Sequence, residues 1–489
     1  MAQPFHFYSE LAPKALTAPK YPQWRRPKKE QIFWKPEEAR SQIGIFSKGK
    51  ALLNEFLESS SIHGLGHLAR KELHYAEYLL WMTVLMAAIT GTFYIGRQSW
   101  RRYQHFPTVI SMEKDYRNWN TTFAMATVCP EVKINETSLK EIAERLRVKD
   151  SDQFVRFFKE LPSSNYESFH LLPEYNEVPP EQYLQIIDEA KYDFRFKLSN
   201  SQDAEQERLL MVTENNLCYG VNSEMGFYLT MENFNRKLPV KRNNIQLING
   251  GPLDGEMFVQ VMNMSSGYHL SISGPYDVPD VSVRRLYSPA SHYIMLDLSA
   301  LSIISSDTVR DLSPQQRKCR YFDESNLETA DVYSYNLCRM QCRADLAYDL
   351  CKCIPYFYRK SKSRPYCDAS GMKCLGQHGQ FLTNLRDPTT NEKLPCGCLP
   401  LCNDVHYLIE LETHLIWPLA TNMQYSMLHY PRTRLKREVI FGFADLLVSI
   451  GGTAGLLLGC SFLSFIEIIY YLTVRLFFFF RTTWNGMTN

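Results

Sequence analysis

Two long uncharged segments stand out from the pattern of hydrophobic and polar positions along the chain. Residues 78–96 and 446–466 contain no charged side chain, and after Glu467 the second apolar run continues to Val474. Each run reaches the ~20 residues that an α-helix needs to cross the hydrocarbon core of a bilayer. The pattern therefore predicts two membrane-spanning helices, at 78–96 and 446–474.

The remainder of the chain mixes shorter alternating and helical patterns. Alternation of apolar and polar residues predicts β-strands, whereas apolar residues every three or four positions predict helices. We expect strands at residues 257–262 and 292–304 and helices at residues 43–57, 138–147 and 327–350. Ser325 and Glu328 have the spacing of a capping box at the start of the last of these helices.

Composition and charge narrow the classes of function. The chain has 54 Lys and Arg against 52 Asp and Glu, so it lacks the basic excess that is usual in a nucleic-acid-binding protein. Its mean hydropathy is −0.29, so most of the chain meets water. The sequence contains no nucleophile elbow, P-loop or metal motif, which argues against an enzyme and against a metal or cofactor.

The cysteines and sequons indicate which part lies outside the cell. Residues 1–128 contain no cysteine, twelve of the 13 cysteines lie between Cys129 and Cys402, and Cys460 lies in the second apolar run. An even, clustered set is typical of disulfide bonds formed in an oxidising compartment. The three glycosylation sequons fall in the same region, at Asn120, Asn135 and Asn263. We therefore place residues 97–445 outside a plasma-membrane protein, with both termini in the cytoplasm.

These assignments divide the chain into five segments and give an α+β fold class, with two transmembrane helices and a large disulfide-rich extracellular domain. The segments are a cytoplasmic N-terminal tail (1–77), transmembrane helix 1 (78–96), the extracellular cysteine-rich domain (97–445), transmembrane helix 2 (446–474) and a cytoplasmic C-terminal tail (475–489). The first 70 residues are polar, so no signal peptide is expected before the first span. The basic run Arg25–Lys29 is expected to lie in a disordered tail that rests on anionic lipid.

The cysteine spacings suggest successive disulfide rungs. Cys338 and Cys342 are four residues apart and share a helix face, and the extended stretch Cys396-x-Cys398-x-x-x-Cys402 lies further along the chain. Spacing alone leaves the pairing open. A zinc cluster is the alternative, but no pair of C-x-x-C knuckles is present.

The second apolar run has two interpretations that its spacing leaves open. Gly451, Gly455 and Gly459 recur every fourth residue, which is typical of close helix–helix packing. Alternatively, Gly459–Ser461 is an unwound stretch that lines a pore, because free carbonyls are tolerated at membrane depth only beside a watery cavity. Glu467 would form an acidic ring that attracts cations in a symmetric oligomer, or would snorkel to the inner interface.

Several motifs occur in an order that resembles one known family. They are Ile62-His63-Gly64, Thr122–Cys129, Leu217–Asn222, Pro275–Pro279, Leu312–Cys319, the cysteine series from Cys319 to Cys402, and Gly459-Cys460-Ser461. The chain departs from the pattern at Ala124, where the family has Pro. Over roughly residues 40–475 it resembles the degenerin/epithelial sodium channel family, and within that family the insect pickpocket channels.

The resemblance implies a trimeric cation channel with hand-like ectodomains and a pore lined by the second spans. The subunits would form a homotrimer or a heterotrimer with related chains, sodium would be the permeant ion, amiloride the usual blocker, and no cofactor would be needed. Gly459, Cys460 and Ser461 would form the selectivity filter, Val448, Gly455 and Glu467 would lie in the pore, and His63 and Gly64 would form a cytoplasmic gating motif. Val448 occupies a position where the family usually has a small residue, and Gly455 falls at the amiloride-contact position.

The resemblance also implies a disulfide pairing and a sensory role. The implied pairs are Cys129–Cys218, Cys319–Cys402, Cys338–Cys398, Cys342–Cys396, Cys351–Cys374 and Cys353–Cys367. The stimulus, whether mechanical, chemical or osmotic, is not set by the sequence. Glu174, Glu177 and Glu181 are either proton sensors or part of a solvated loop.

Two other functions are compatible with the two-pass topology. ATP-gated purinergic receptors are also trimers with disulfide-rich ectodomains, and an ATP-evoked current would identify one. A two-pass scavenger or lipid receptor would carry no current and would give Gly459–Ser461 no role.

Overall fold

The computed structural model describes residues 45–485, apart from residues 71–72, 203–204, 235–246, 361–363 and 388–389. The basic run Arg25–Lys29 lies outside the described residues. Two compact units are present: the residues up to Met82 together with those from Leu463 onward form one, and Thr83–Phe462 forms the other.

The helices include both apolar runs. In chain order they are α1 (Ile45–Ser59), α2 (Leu65–Leu68), α3 (Tyr75–His105), α4 (Glu136–Leu146), α5 (Ser151–Glu160), α6 (Tyr183–Glu189), α7 (Met225–Tyr228), α8 (Met231–Phe234), α9 (Pro314–Arg317), α10 (Tyr335–Cys351), α11 (Ala369–Gln377), α12 (Gly379–Asn384), α13 (Phe443–Leu458), α14 (Phe462–Tyr470) and α15 (Leu476–Asn485). A π-helical turn at Tyr471–Arg475 joins α14 to α15. Among the described residues, α3 and the stretch Phe462–Arg481 are long and apolar enough to cross a membrane, and α13 is a shorter apolar helix.

The strands form two larger sheets and a two-stranded pair. In chain order they are β1 (Thr108–Glu113), β2 (Thr121–Thr122), β3 (Met125–Pro130), β4 (Lys197–Asn200), β5 (Arg208–Thr213), β6 (Asn216–Val221), β7 (Asn249–Gly250), β8 (Met257–Met264), β9 (Tyr268–Ser273), β10 (Leu286–Ser288), β11 (His292–Ser305), β12 (Asp404–Ile416), β13 (Thr421–Met427) and β14 (Arg434–Val439). A seven-stranded sheet has the order β1-β14-β11-β13-β8-β4, with β12 also paired to β11, and a five-stranded sheet has the order β10-β9-β3-β6-β5. In the larger sheet β11 runs parallel to β13 and β14, and its other pairings are antiparallel.

The pattern of hydrophobic residues explains why these strands pack. In β8, Met257, Val259 and Val261 alternate with more exposed residues, so one face of the strand is buried. Phe123 and Tyr425 stack with ring centroids 5.2 Å apart inside the same core. The expected strands at 257–262 and 292–304 are therefore confirmed as β8 and β11.

The expected helices are confirmed in part. The helix expected at 138–147 is α4, and the one expected at 43–57 is found, over its described residues, as α1. The helix expected at 327–350 is wrong at its start, because α10 begins at Tyr335 and the Ser334 side chain caps it by accepting a hydrogen bond from the Leu337 amide.

The expected capping box is also wrong. The Ser325 hydroxyl donates to the Ala330 carbonyl, and the Glu328 amide donates to the Gln341 side chain, so both residues belong to a loop before the helix. The sequence contained a second capping serine nearer the helix, and its geometry is the one that the fold uses.

Six disulfide bonds staple the extracellular part of the fold. They are Cys129–Cys218, Cys319–Cys402, Cys338–Cys398, Cys342–Cys396, Cys351–Cys374 and Cys353–Cys367. These are the same six pairs that the family resemblance implies, and they leave Cys460 as the free cysteine of the described chain. Helix α10 carries two successive rungs, at Cys338 and Cys342, as their shared face requires. The pairing also excludes a zinc cluster at these cysteines.

A buried cluster of charges joins three parts of the ectodomain. The side chain of Arg343 on α10 is fully buried and forms ion pairs with Glu214, on the turn between β5 and β6, and with Asp280, whose Oδ2 lies 3.1 Å from Nη2. Its Nε donates to the Leu382 carbonyl at 2.7 Å, and the Tyr358 hydroxyl donates to Glu214. Burial opposes the charge of Arg343, but the neighbouring Glu214, Tyr358 and Asp280 raise its pKa well above its ordinary value.

Candidate functional site

The second apolar run is interrupted by a short stretch that is not helical. Helix α13 ends at Leu458, and α14 begins at Phe462, so Gly459–Ser461 forms a break between them. Gly459 has φ +63°, the left-handed conformation that a residue with a side chain rarely adopts. The sequence therefore breaks the helix at a glycine that tolerates this geometry, which agrees with the unwound interpretation of this stretch.

The break releases polar backbone groups in the middle of an apolar run. An α-helix leaves its last four carbonyls without an intrahelical partner. In α13 the Gly459 amide donates to the Gly455 carbonyl at 3.0 Å, and the Cys460 amide donates to the Ala454 carbonyl at 3.3 Å. The carbonyls of residues 456–458 then follow at the break, next to the exposed Ser461. Such groups are stable at membrane depth only where they line a cavity that holds water or ions.

One face of α13 is left uncovered by the chain itself. Val448 is 74 % exposed, and Gly455 is exposed on the same side of the helix. A Cβ added at Gly451 or Gly452 would meet nothing within 4 Å. Leu446 and Ala454 are buried on the opposite face. The predicted pore residues Val448 and Gly455 thus share a free face.

The buried side of α13 packs against the first apolar helix. The hydroxyls of Ser99 on α3 and Ser449 on α13 lie 2.8 Å apart. A Cβ added at Gly91 would lie 3.4 Å from Leu457, so the two helices approach closely there. Close packing through a small residue therefore occurs within the chain at Gly91, whereas Gly451 and Gly455 face outward.

The predicted gating motif forms a turn before the first apolar helix. Gly64 has φ +92° and is the N-cap of the short helix α2, while His63 is exposed. The left-handed backbone explains the need for glycine beside the histidine. One turn further on, His67 stacks on Trp81 with ring centroids 4.1 Å apart.

The structure brings Glu467 into contact with the same segment. The Glu467 carboxylate accepts hydrogen bonds from the amide and the hydroxyl of Ser61, two residues before His63. No motif or spacing in the sequence predicted this contact. A serine run beside a predicted intramembrane carboxylate was the available signal.

The remaining predicted residues lie on the extracellular surface. The sequon residues Asn120, Asn135 and Asn263 are all exposed, and Asn135 also caps α4 by accepting from the Thr137 amide. The carboxylates Glu174 and Glu181 form surface ion pairs with Lys373 and Lys360, respectively. The Glu181 backbone amide and Lys360 lower the pKa of Glu181, which is the opposite of what sensing near neutral pH requires. Among the described residues, no group of three His, Cys, Asp or Glu side chains could hold a metal ion.

Comparison with known families finds one match over most of the chain. Residues 56–471 match the sequence profile of the family described as "Amiloride-sensitive sodium channel".

Curated relatives include two groups of fruit-fly proteins. Sodium channel protein Nach of Drosophila melanogaster is 21 % identical over 90 % of this chain and 91 % of its own, and the protein of the same name from Drosophila ananassae is 22 % identical over 90 % of both. Pickpocket protein 28 of Drosophila melanogaster is 27 % identical, but the match covers 44 % of this chain and 38 % of that protein.

Among solved structures, a proton-activated chloride channel determined by cryo-EM covers 81 % of this chain and 96 % of its own, at 6 % identity and a TM-score of 0.23. That level of similarity supports no conclusion about function.

Proposed function

We propose that the chain is one pore-forming subunit of a sodium channel, starting from the fact that it belongs to the amiloride-sensitive sodium channel family. This is a family of ion channels and not of enzymes. Family membership sets aside the purinergic-receptor and scavenger-receptor alternatives. The relatives named sodium channel protein Nach, which match over nine-tenths of the chain, support the same ion.

The observation that carries the proposal is the helix break at Gly459–Ser461. It places a glycine with left-handed backbone, released carbonyls and an exposed serine within an apolar run. Carbonyl and hydroxyl oxygens in such a ring can replace part of the water shell of a cation. We assign Gly459, Cys460 and Ser461 as the selectivity filter.

The free face of α13 supports assembly around a central pore. Val448 and Gly455 are exposed and point away from the face that packs against α3. A trimer, of this chain or with related subunits, would bring three such faces together around one axis. In that arrangement the Val448 side chains meet in the closed pore and oppose its full closure, and Gly455 lies where a blocker such as amiloride would enter.

The orientation follows from the ectodomain. We propose that residues 97–445 lie outside the plasma membrane and both termini inside, and the six disulfides and the exposed sequon residues support this orientation. We propose a sensory role, in which a mechanical, chemical or osmotic stimulus acts on this domain, and N-glycosylation at the three sequons.

The test measures ion selectivity of Ser461→Cys in oocytes, alone and with related subunits. The reversal potential under bi-ionic sodium and potassium should shift toward weaker sodium preference, because the larger sulfur changes the ligand geometry. Ser449→Cys is the matched control, since its hydroxyl bonds to Ser99 within the chain and should leave the reversal potential unchanged. A Ser461→Cys channel that reaches the surface and conducts with the native reversal potential would contradict the filter assignment.

A further inference from the structure

Hydrogen bonds join the segment before the first apolar helix to helix α14, which follows the break. The Ser61 amide donates to Oε2 of Glu467 at 3.1 Å, and the Ser61 hydroxyl donates to the same oxygen at 2.7 Å. One residue therefore offers both its polar donors to one carboxylate. This two-point contact fixes the position of the backbone at Ser61 as well as that of its side chain.

A third group completes the contact. The hydroxyl oxygen of Ser464, one turn before Glu467 on α14, lies 2.8 Å from that of Ser61. Ser464 is 1 % exposed, so this end of the contact is packed. The Ser61 hydroxyl therefore lies within donating distance of both the Glu467 carboxylate and the Ser464 hydroxyl.

Further pairs continue along the same side of the second apolar run. The Ser59 hydroxyl lies 2.6 Å from the Tyr471 hydroxyl, and Phe56 meets the Tyr471 ring edge-on at 5.1 Å. The next pair is a close ion pair between Glu55 and Arg475. The partners on this run therefore recur at positions 464, 467, 471 and 475, the spacing of one helix face. The row shows that α1 lies along this face and that Ser61 ends the row.

The position of Ser61 in the chain links its contact with Glu467 to the His63–Gly64 turn. Ser61 comes two residues before His63 and three before Gly64, whose left-handed backbone turns the chain. The Ile62 amide donates to the Ser60 hydroxyl at 3.3 Å, so the intervening residues form a short, locally bonded link. A displacement of Ser61 from Glu467 would therefore move the His63–Gly64 turn.

The energetics favour this use of the carboxylate. A carboxylate in an apolar helix is expensive unless it is paired or hydrogen-bonded. Hydrogen bonds to a charged acceptor are about twice as strong as bonds between neutral groups. The hydrogen bonds that stabilise the charge of Glu467 thus also hold the His63–Gly64 turn.

We propose that Ser61 is a positioning residue, which clamps Glu467 and thereby holds the His63–Gly64 turn against the inner part of the second span. In this arrangement Glu467 is an anchor for the cytoplasmic segment of its own subunit, whereas the acidic-ring interpretation makes it a free site for cations. The functional part of this inference rests on the proposed channel activity, and the contact itself does not.

The contact can be tested without any current. Ser61→Cys with Ser464→Cys places two sulfurs where the hydroxyl oxygens lie 2.8 Å apart, within the reach of a disulfide. A protease site inserted in the exposed turn at residues 253–256 then cuts the chain in two. Cys129–Cys218 lies before that turn and the other five disulfides lie after it, so no native bridge joins the two pieces.

The expected result is read on a non-reducing denaturing gel after mild oxidation of isolated membranes and cleavage. The two pieces should stay joined in the Ser61→Cys/Ser464→Cys protein and separate in the matched Ser60→Cys/Ser464→Cys control. Separation in both proteins would overturn the contact. A cross-linked dimer seen before cleavage would overturn its placement within one subunit.

The positioning role is tested by a double-mutant cycle on sodium current at matched surface levels. Ser61→Ala and Glu467→Ala should each change open probability by about tenfold, the factor expected when a hydrogen bond to a charged group is lost. The double variant should change it no further, and Ser61→Thr, which keeps the hydroxyl, should behave as the native chain. Additive effects, or a Ser61→Thr variant as impaired as Ser61→Ala, would overturn the role. Absence of any sodium current with an intact cross-link would count against the channel function and in favour of the contact.

Discussion

Replacing the buried Arg343 by Met should destabilise the ectodomain more than any surface ion-pair change. The Arg343 side chain is fully buried, and its partners Glu214 and Asp280 are 1 % and 0 % exposed. Methionine fills much of the space but leaves Glu214 buried without its cation, and Asp280 keeps only Arg339, whose Nε lies 3.3 Å from its carboxylate. Breaking a buried pair in this way typically costs about 3–5 kcal/mol.

The magnitude can be converted into a melting temperature. Unfolding entropy of about 2.1 cal/mol/K per residue, over the roughly 350 residues of the ectodomain, gives ~0.7 kcal/mol per kelvin. The expected loss of 3–5 kcal/mol therefore lowers Tm by about 4–7 °C. The measurement is the fraction of detergent-solubilised protein that stays folded after heating, read by size-exclusion chromatography.

Arg310→Met is the matched control. Arg310 makes a two-pronged contact to Asp323 at 2.6 and 2.7 Å, but the two side chains are 52 % and 66 % exposed. Exposed pairs are worth about 0–1 kcal/mol, so Tm should fall by less than ~1.5 °C. Comparing Arg310→Met with Arg343→Met thus separates the effect of burial from the effect of losing an ion pair.

A rescue variant makes the reasoning refutable. Adding Glu214→Gln and Asp280→Asn to Arg343→Met removes the charge of both buried carboxylates and should recover at least half of the lost Tm. If the Tm of Arg343→Met falls no further than the Tm of Arg310→Met, the buried cluster does not stabilise the fold as argued. If the triple variant is less stable than Arg343→Met, packing rather than unpaired charge explains the loss.

Two further predictions concern closure of the pore and the pH dependence of stability. Val448 is stiff at χ1 and 74 % exposed on the free face of α13. Val448→Ala should therefore lower the basal current, and Val448→Phe should raise it. Equal basal currents at matched surface levels would show that this position does not take part in gating. Desolvation raises the pKa of Asp277 to about 7, with hydrogen bonds from Ser334 and the Val278 amide opposing the shift. The folded state therefore holds this proton more tightly than the unfolded state, so stability should fall as pH rises from about 4 to about 7 and then level off. Asp277→Asn should raise Tm at pH 8 and reduce this pH dependence, and a native-like pH profile in the variant would contradict the assignment.

Local patterns predicted those elements whose signal is contained in a short window. The alternation in β8 and β11 and the uncharged stretch inside α3 each reflect one buried or lipid-facing surface. The start of α10 was missed because Ser325 and Ser334 both precede helical residues, and only the surrounding loop decides which serine caps. A local pattern cannot distinguish two such caps, since the difference lies in tertiary hydrogen bonds.

The candidate site also contains features that a local pattern predicts and features that depend on tertiary contacts. A break at Gly459 was one of the two interpretations of the second apolar run, and the conformational freedom of glycine is a property of the residue itself. The contact between Ser61 and Glu467 joins residues 406 positions apart, and the contact between Arg343 and Glu214 joins residues 129 apart. No periodicity connects such residues, so both contacts emerge only from the folded chain.

The break in the second apolar run also constrains assembly. Ser461 and the glycines Gly451, Gly452 and Gly455 are exposed in the single chain, whereas Gly459 and Cys460 are half-buried. A polar backbone group that faces lipid without a hydrogen-bond partner costs several kcal/mol. The proposed trimer would instead turn this face toward a pore that holds water and cations. In the proposed channel, the residues that select the ion would thus also favour assembly of the trimer.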